Sequence, residues 1–409
     1  MDPKRDYLTM DDFEFKNKTV LLRIDINSPI DPKTSAILDD KRMRSHIKTI
    51  KELEGAKTVL LSHQSRPGKK DFTTMEEHAK RLSQLLKKEV RYIDDVFGSY
   101  SRNSIKAMKN GDIILLENVR FCSEEQIEQS AQEHAKTQLV RKLSSVVEIF
   151  LNDAFGTAHR SHASIVGFTP VLPSGAGRLM EREIDTLNKV LERSETGGAV
   201  FVLGGAKVTD SIKVMKNVLE RGSADKILVT GVVANVFLAA NGVNIGERNF
   251  KFIRDEGFEG EIENAKQLLL KYRMKIMLPV DIALSKNNTR VEVSIHQIPS
   301  EYQIWDIGFE TIDRFKKEIE NADVVVFNGP AGVNEVPDFA IATNELLMAC
   351  TRAKFAVLGG GHTSAAVEKL GIESKVAHVS TGGGACMDYL AGERMPGIIA
   401  LIEAAKRYR

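Results

Sequence analysis

Five arginines and three histidines recur just beyond short apolar runs in the first half of the chain. They are Arg23, with Asp25 and Asn27, in VLLRIDIN; Arg42 in DDKRMRSH; His63 and Arg66 in LLSHQSRP; Arg120 in LLENVRF; and His159, Arg160 and His162 in NDAFGTAHRSH. A guanidinium fork matches the paired oxygens of a carboxylate or phosphate, so such a set would bind a small polyanion. Any one of these residues alone is more simply a solvated loop residue or an ion-pair partner. Their recurrence at successive run ends carries the reading.

The second half ends its apolar runs in glycine instead: FVLGGAK (Gly204, Gly205, Lys207), LVTGVVAN (Gly231), VFNGPAG (Gly329, Gly332), VLGGGHT (Gly359, Gly360, Gly361) and VSTGGGA (Gly382, Gly383, Gly384). Glycine lets backbone N–H groups approach phosphate oxygens, and a helix that follows adds the positive end of its dipole. A nucleotide polyphosphate is the natural guest. One such turn is weak evidence, since it is often only a tight turn; five in one half say more. No GxxxxGKS/T loop occurs, neither GGGHTS nor GGGACM completes GxGxxG, and the HRD and DFG signatures are absent. These absences disfavour a P-loop ATPase, a dinucleotide dehydrogenase and a protein kinase.

Phosphoryl transfer needs in-line placement and positive charge around the equatorial oxygens, with little covalent work from the protein. Lys207 could reach the transferring group, Arg42 could approach from the other half, and the helix start at 382–384 could hold phosphate oxygens.

Positioning these residues falls to apolar runs at 20–26, 58–62, 113–116, 148–152, 199–203, 226–230, 275–278, 323–327 and 355–358. Runs without alternation suit strands covered on both faces. Amphipathic stretches at 75–87, 132–144 and 339–351 fall between them, so the spacing predicts an α/β protein with open parallel sheets. At 409 residues the chain exceeds the usual size of one core. The Pro/Gly-rich segment FTPVLPSGAG, followed by a helix-period stretch over 178–193, reads as a domain boundary. The expected arrangement is an N-terminal domain at 1–175, a connecting helix at 176–193 and a C-terminal domain at 194–395. With the two clusters in different domains, they should meet only on closure about a hinge near 175–183, excluding water.

A formal charge of +1 offers no field for nucleic acid or an anionic membrane. Three scattered cysteines fit neither a disulfide framework nor a zinc cluster, the start lacks a signal-peptide core, and no apolar run approaches a membrane span. The expectation is a cytoplasmic protein, monomer or homodimer.

Taken together, the motifs from VLLRIDINSPI to STGGGA resemble phosphoglycerate kinase over nearly the whole chain, and GGGHT resembles its archaeal branch. The resemblance implies two Rossmann-like lobes and reversible transfer between ATP with 3-phosphoglycerate and ADP with 1,3-bisphosphoglycerate. It implies that Asp25, Asn27, Arg42, His63, Arg66, Arg120 and Arg160 hold the acid, with Arg42 catalytic. It implies nucleotide contacts from Gly205, Lys207, Glu335 (on the ribose hydroxyls), Gly360, Gly361, His362 and Thr363, and catalytic roles for Lys207, Gly383 and Gly384. Two positions depart from the family pattern. Ser211 stands where most members carry a second lysine, with Lys213 nearby, and His362 stands where most carry the Asp of GGGDT, which assists the magnesium. Imidazole is a poor magnesium ligand, so the metal is expected on the nucleotide phosphates and water, with no protein ligand. The resemblance also implies that the helix-period tail at 396–409 packs on the first domain. Two other readings stay open at this point: a kinase for another small acid, and a two-lobed binding protein without turnover.

Overall fold

Strands form where the apolar runs lie. In the first part of the chain these are β1 (Thr19–Arg23), β2 (Lys57–Leu61), β3 (Arg91–Ile93), β4 (Ile113–Leu116), β5 (Ile149–Asn152) and β6 (Ser174–Ala176). They make one six-stranded sheet in the order β3-β4-β2-β1-β5-β6, every pair parallel. Successive residues of a strand point to opposite faces. Val20 and Leu22 accordingly join one buried cluster with Leu60 and Leu115, while Leu21 joins another with Val59 and Phe150. Both faces are dry, which is why the runs lack alternation.

The later strands are β7 (Ala199–Leu203), β8 (Lys226–Val229), β9 (Ile276–Met277), β10 (Asp281–Lys286), β11 (Thr289–Ser294), β12 (Gln303–Ile307), β13 (Val324–Asn328), β14 (Ala356–Gly359) and β15 (His378–Val379). Six of them form a second parallel sheet, β15-β14-β13-β7-β8-β9. The other three form an antiparallel sheet, β11-β10-β12, that the sequence reading did not foresee. Its β10–β11 hairpin turns on Asn287 and Asn288, both at positive φ, as a two-residue primed turn requires. Its strands mix polar and apolar residues and so escaped a search for continuous apolar runs.

The computed structural model describes residues 5–194, 197–298 and 301–408; the first four residues of the polar start lie outside them. The chain divides into a first unit, Met1–Ile184 with Arg394–Arg409, and a second, Asp185–Glu393. The division falls inside the helix Arg178–Ser194. The buried Asp153 caps that helix, its Oδ1 accepting from the Leu179 N–H at 2.8 Å and the Met180 N–H at 3.1 Å. The final helix, Pro396–Tyr408, belongs to the first unit: the Gly397 N–H donates to the Ala158 carbonyl at 2.8 Å, and Arg407 donates to the Thr169 carbonyl at 2.8 Å. The stretch expected as one helix over 132–144 is two, Ala131–His134 and Gln138–Ser144, because the Thr137 side chain accepts from the Val140 N–H and restarts the helix. No helix among the described residues is long and apolar enough to cross a membrane.

In each parallel sheet the chain first builds outward on one side of a central strand and then crosses to the other. β1 lies between β2 and β5, and β7 between β8 and β13. The carboxyl ends at these switch points are where open α/β sheets receive ligands.

Candidate active site

At the switch point of the first unit, β1 runs directly into Asp25 and Asn27, and the loop after β2 carries His63 and Arg66. Arg42 sits in the first turn of the helix Lys41–Glu52 and donates to Asp25 Oδ2 at 2.9 Å. Burial works against a charge on Asp25, but Arg42 beside it wins and holds the carboxyl well below its usual range. Asn27 Oδ1 accepts from the Ser65 N–H at 3.0 Å, tying the β1 and β2 loops together. Arg120 follows β4 in a turn capped by Asn118, whose Oδ1 takes the N–H groups of both Arg120 and Gln64 at 3.1 and 3.2 Å; the Arg120 guanidinium donates to the Ser65 carbonyl. Arg160 donates to His159 Nε2 at 3.2 Å, and Arg66 is exposed.

These cations converge. Burial first, then the charges of Arg160, Arg23 and Arg66, push Arg120 down to about 10. Burial, with Asp25 opposing and Arg23, Arg120 and Arg42 assisting, holds His63 well below the usual imidazole range. Like charges held at mutual cost around one sheet edge mark a place for an anion.

In the second unit, the β7 and β13 ends approach so closely that side chains are excluded. The Gly204 and Gly205 N–H groups donate to the Asn328 and Pro330 carbonyls at 2.9 and 2.8 Å. A Cβ on Gly329, whose φ is +84°, would lie 2.3 Å from the Gly204 oxygen. A cleft of about 90 Å³ opens beside this crossing, lined by Gly205, Lys207, Gly360, Gly361, His362, Thr363 and Gly383 among others. Two helices begin there, Gly361–Leu370 and Gly384–Leu390. Thr363 is buried and its hydroxyl accepts from the Gly329 N–H at 3.1 Å, which locks one glycine turn to another. A second cleft, of about 220 Å³, shares Gly205 and His362 and adds Glu335, Asn235, Trp305 and Asp306. Burial raises Asp306 to about 6, against the opposing Arg290, which donates to it at 2.8 Å.

The structure thus brings together the cationic residues of the first unit and, separately, the glycine turns, Lys207, His362, Thr363 and Glu335 of the second. Gly384 starts its helix but lines neither cleft. Ser211 lines the smaller cleft, whereas Lys213 reaches Glu393 at 3.4 Å and does not. No group of three or more His, Cys, Asp or Glu side chains that could hold a metal ion is found among the described residues. Sequence reasoning missed Ser65, Asn118 and Asn328, which act through hydrogen bonds between distant loops. It also missed Trp305, which the chain's having one tryptophan could have flagged.

Two doubly wound parallel sheets, one ending in clustered arginines and the other in glycine turns, define a two-unit α/β protein whose sheet edges suit anions. The model of the phosphoglycerate kinase family matches residues 10–393, and this chain belongs to that family. It is 55% identical over 406 residues to a phosphoglycerate kinase of Methanosarcina mazei, covering 99% of this chain and 97% of the relative. It is 53% identical over 404 residues to that of Methanothermus fervidus, covering 98% of each. The crystal structure of the phosphoglycerate kinase from Pyrococcus horikoshii superposes with a TM-score of 0.92 at 42% identity, covering 98% of this chain and all of that one.

Proposed function

We propose that this enzyme transfers the γ-phosphoryl of ATP to the carboxylate of 3-phosphoglycerate and catalyses the reverse reaction. The observation that carries this reading is the division of labour between two sheet edges: clustered arginines for a small acid phosphate in one unit, backbone N–H turns for a polyphosphate in the other. Asp25, Asn27, His63, Arg66, Arg120 and Arg160 hold the acid. Arg42, tethered by Asp25, is placed to neutralise charge on the transferring group. Lys207 with the turns at Gly360, Gly361, Thr363 and Gly383 cradles the phosphates, His362 contacts them from the helix start, and Glu335 accepts the ribose hydroxyl protons. Gly384 contributes the start of its helix. Magnesium, carried on the nucleotide phosphates, would neutralise them further; the one acid lining the clefts beside His362 that is free of a buried ion pair, Glu335, is assigned to the ribose. Since the ligands sit on separate units, transfer requires closure that brings them in line and excludes water. Cys122 and Cys350 are free thiols, in keeping with a reducing cytoplasm.

The test is a coupled assay with ATP and 3-phosphoglycerate, expected to show turnover in both directions. No activity in the wild type, or turnover only with a different acid, would overturn the assignment.

A further inference from the structure

His63 stands at the cationic edge, 3% exposed, and its ring has one protein neighbour through a nitrogen: Nδ1 lies 3.1 Å from Nη2 of Arg23. A guanidinium has five N–H donors and no acceptor, so Nδ1 must be the acceptor in this bond. In a neutral imidazole the proton then resides on Nε2. Among the described residues Nε2 finds no hydrogen-bond partner, and it is not among the side-chain atoms sealed from solvent.

Arg23 itself is 1% exposed, and each of its three nitrogens makes a hydrogen bond. Its Nε donates to Ser164 Oγ at 2.8 Å, Nη1 to the Ile24 carbonyl, and Nη2 to His63. Ser164 in turn donates its hydroxyl to Glu125 Oε1 at 2.6 Å and its N–H to Oε2 at 2.8 Å. Glu125 is wholly buried. A buried guanidinium needs a counter-charge and hydrogen-bond partners; Glu125 supplies the charge, and Ser164, Ile24 and His63 each accept from one of its nitrogens. A charge-balanced chain, Glu125–Ser164–Arg23–His63, therefore runs from the interior to the sheet edge. It ends at His63 Nε2.

We propose that Arg23, anchored by Ser164 and Glu125, is a positioning residue that fixes His63 as the neutral Nε2–H tautomer, making it a hydrogen-bond donor to the acid substrate. This rests on the reading that the cationic edge holds the acid. Arg23 touches no ligand. It decides which nitrogen of His63 offers a proton, and it lets His63 donate without adding another full charge beside Arg42 and Arg120, whose charges together with burial disfavour the imidazolium. A carboxylate or phosphate oxygen accepts from Nε2–H; the other tautomer would present it with a lone pair.

The experiment is nitrogen-15 NMR of the full-length protein labelled at histidine, at neutral pH, with the His63 ring assigned by its loss in His63→Gln. The expected spectrum has a protonated Nε2 and an unprotonated Nδ1. A protonated Nδ1, or an imidazolium, overturns the proposal whatever acid the enzyme uses, so this result stands apart from the coupled assay. Arg23→Met combined with Glu125→Gln removes the donor and its buried counter-charge together. It should give a tautomer mixture at His63 and weaken 3-phosphoglycerate binding by about tenfold, with ATP binding unchanged. Arg23→Lys, which keeps one donor, should recover part of both. If the double variant keeps the wild-type tautomer and acid affinity, or weakens both ligands equally, Arg23 is merely structural. If no variant folds, the wild-type spectrum alone decides.

Discussion

The two units build the switch point of a parallel sheet by opposite means, and on the proposed function each means serves to hold an anion. The first places charged side chains at the strand ends and then has to stabilise them: Arg42 by Asp25, Arg23 by Ser164 and Glu125, Arg120 by the Ser65 carbonyl. The second removes side chains, so that Gly204, Gly205 and Gly329 pack backbone on backbone and leave turns facing a cleft. Side-chain recognition costs desolvation and rests on networks; backbone recognition costs little charge but tolerates no added atoms. The first should therefore fail by loss of a group and the second by gain of one.

Loss should show most strongly at Arg42. Its side chain is 40% exposed, so Arg42→Ala leaves the core intact. Removing a donor aimed at developing charge costs about 10²–10³ in kcat, and steady-state assays should find that fall with ATP affinity unchanged. An unaltered kcat would dissolve the contrast, since the cationic edge would then only bind. Gain should show at Gly329→Ala. The new methyl would sit 2.3 Å from the Gly204 oxygen at a φ of +84°, at a cost on the order of 1–3 kcal/mol. We expect a lower unfolding midpoint and a raised KM for ATP, with 3-phosphoglycerate binding retained; equal weakening of both ligands would sink the idea of separate sites.

The same contrast governs what the sequence disclosed. Strands with both faces buried announce themselves, and all nine apolar runs coincide with strands. Strands outside an apolar run do not: β6 is Ser-Gly-Ala, β15 is His-Val, and β10 to β12 mix polar and apolar positions. At the sites, residue type told which strand ends carry cations and which carry glycine. Type could not tell what supports them. Glu125 and Ser164 look in sequence like a polar loop residue and a helix-start serine, yet folding buries both behind Arg23. Partners so far apart in sequence become visible only when β1 and the segments after β4 and β5 are brought together.

Acid should separate the units as well. Burial depresses His78 to about 4, and burial with nearby arginines depresses His162 to about 3; His63 and His134 move the same way. Each is neutral in the folded first unit and takes its proton more readily when unfolded. Their contribution is complete above about pH 6.5 and is lost as pH falls toward 4. Glu125, raised by burial, opposes this in part. In the second unit Asp306, raised to about 6, binds its proton first in the folded state, so that group adds stability as pH falls from 6 toward 4. Hydrogen exchange read by mass spectrometry at pH 7 and pH 5, corrected for intrinsic rates, should show protection falling in the first unit and holding in the second. Uniform loss would mean that the buried histidines do not set acid stability.

The smallest effect should come from His362, an exposed side chain among the glycine turns of the second unit's clefts. His362 lies in the first turn of its helix, 75% exposed and 4.0 Å from Glu335. An Asp there would be favoured by the helix dipole and would offer the oxygen that magnesium prefers. His362→Asp should therefore lower the magnesium concentration needed for half-maximal rate, by roughly two- to fivefold given the weak worth of exposed charges, and leave kcat nearly unchanged. Rates measured against free magnesium at saturating 3-phosphoglycerate test it. A tenfold or greater fall in kcat would instead show that the imidazole touches the transferring phosphoryl, and that the second unit depends for its chemistry on a side chain besides Lys207.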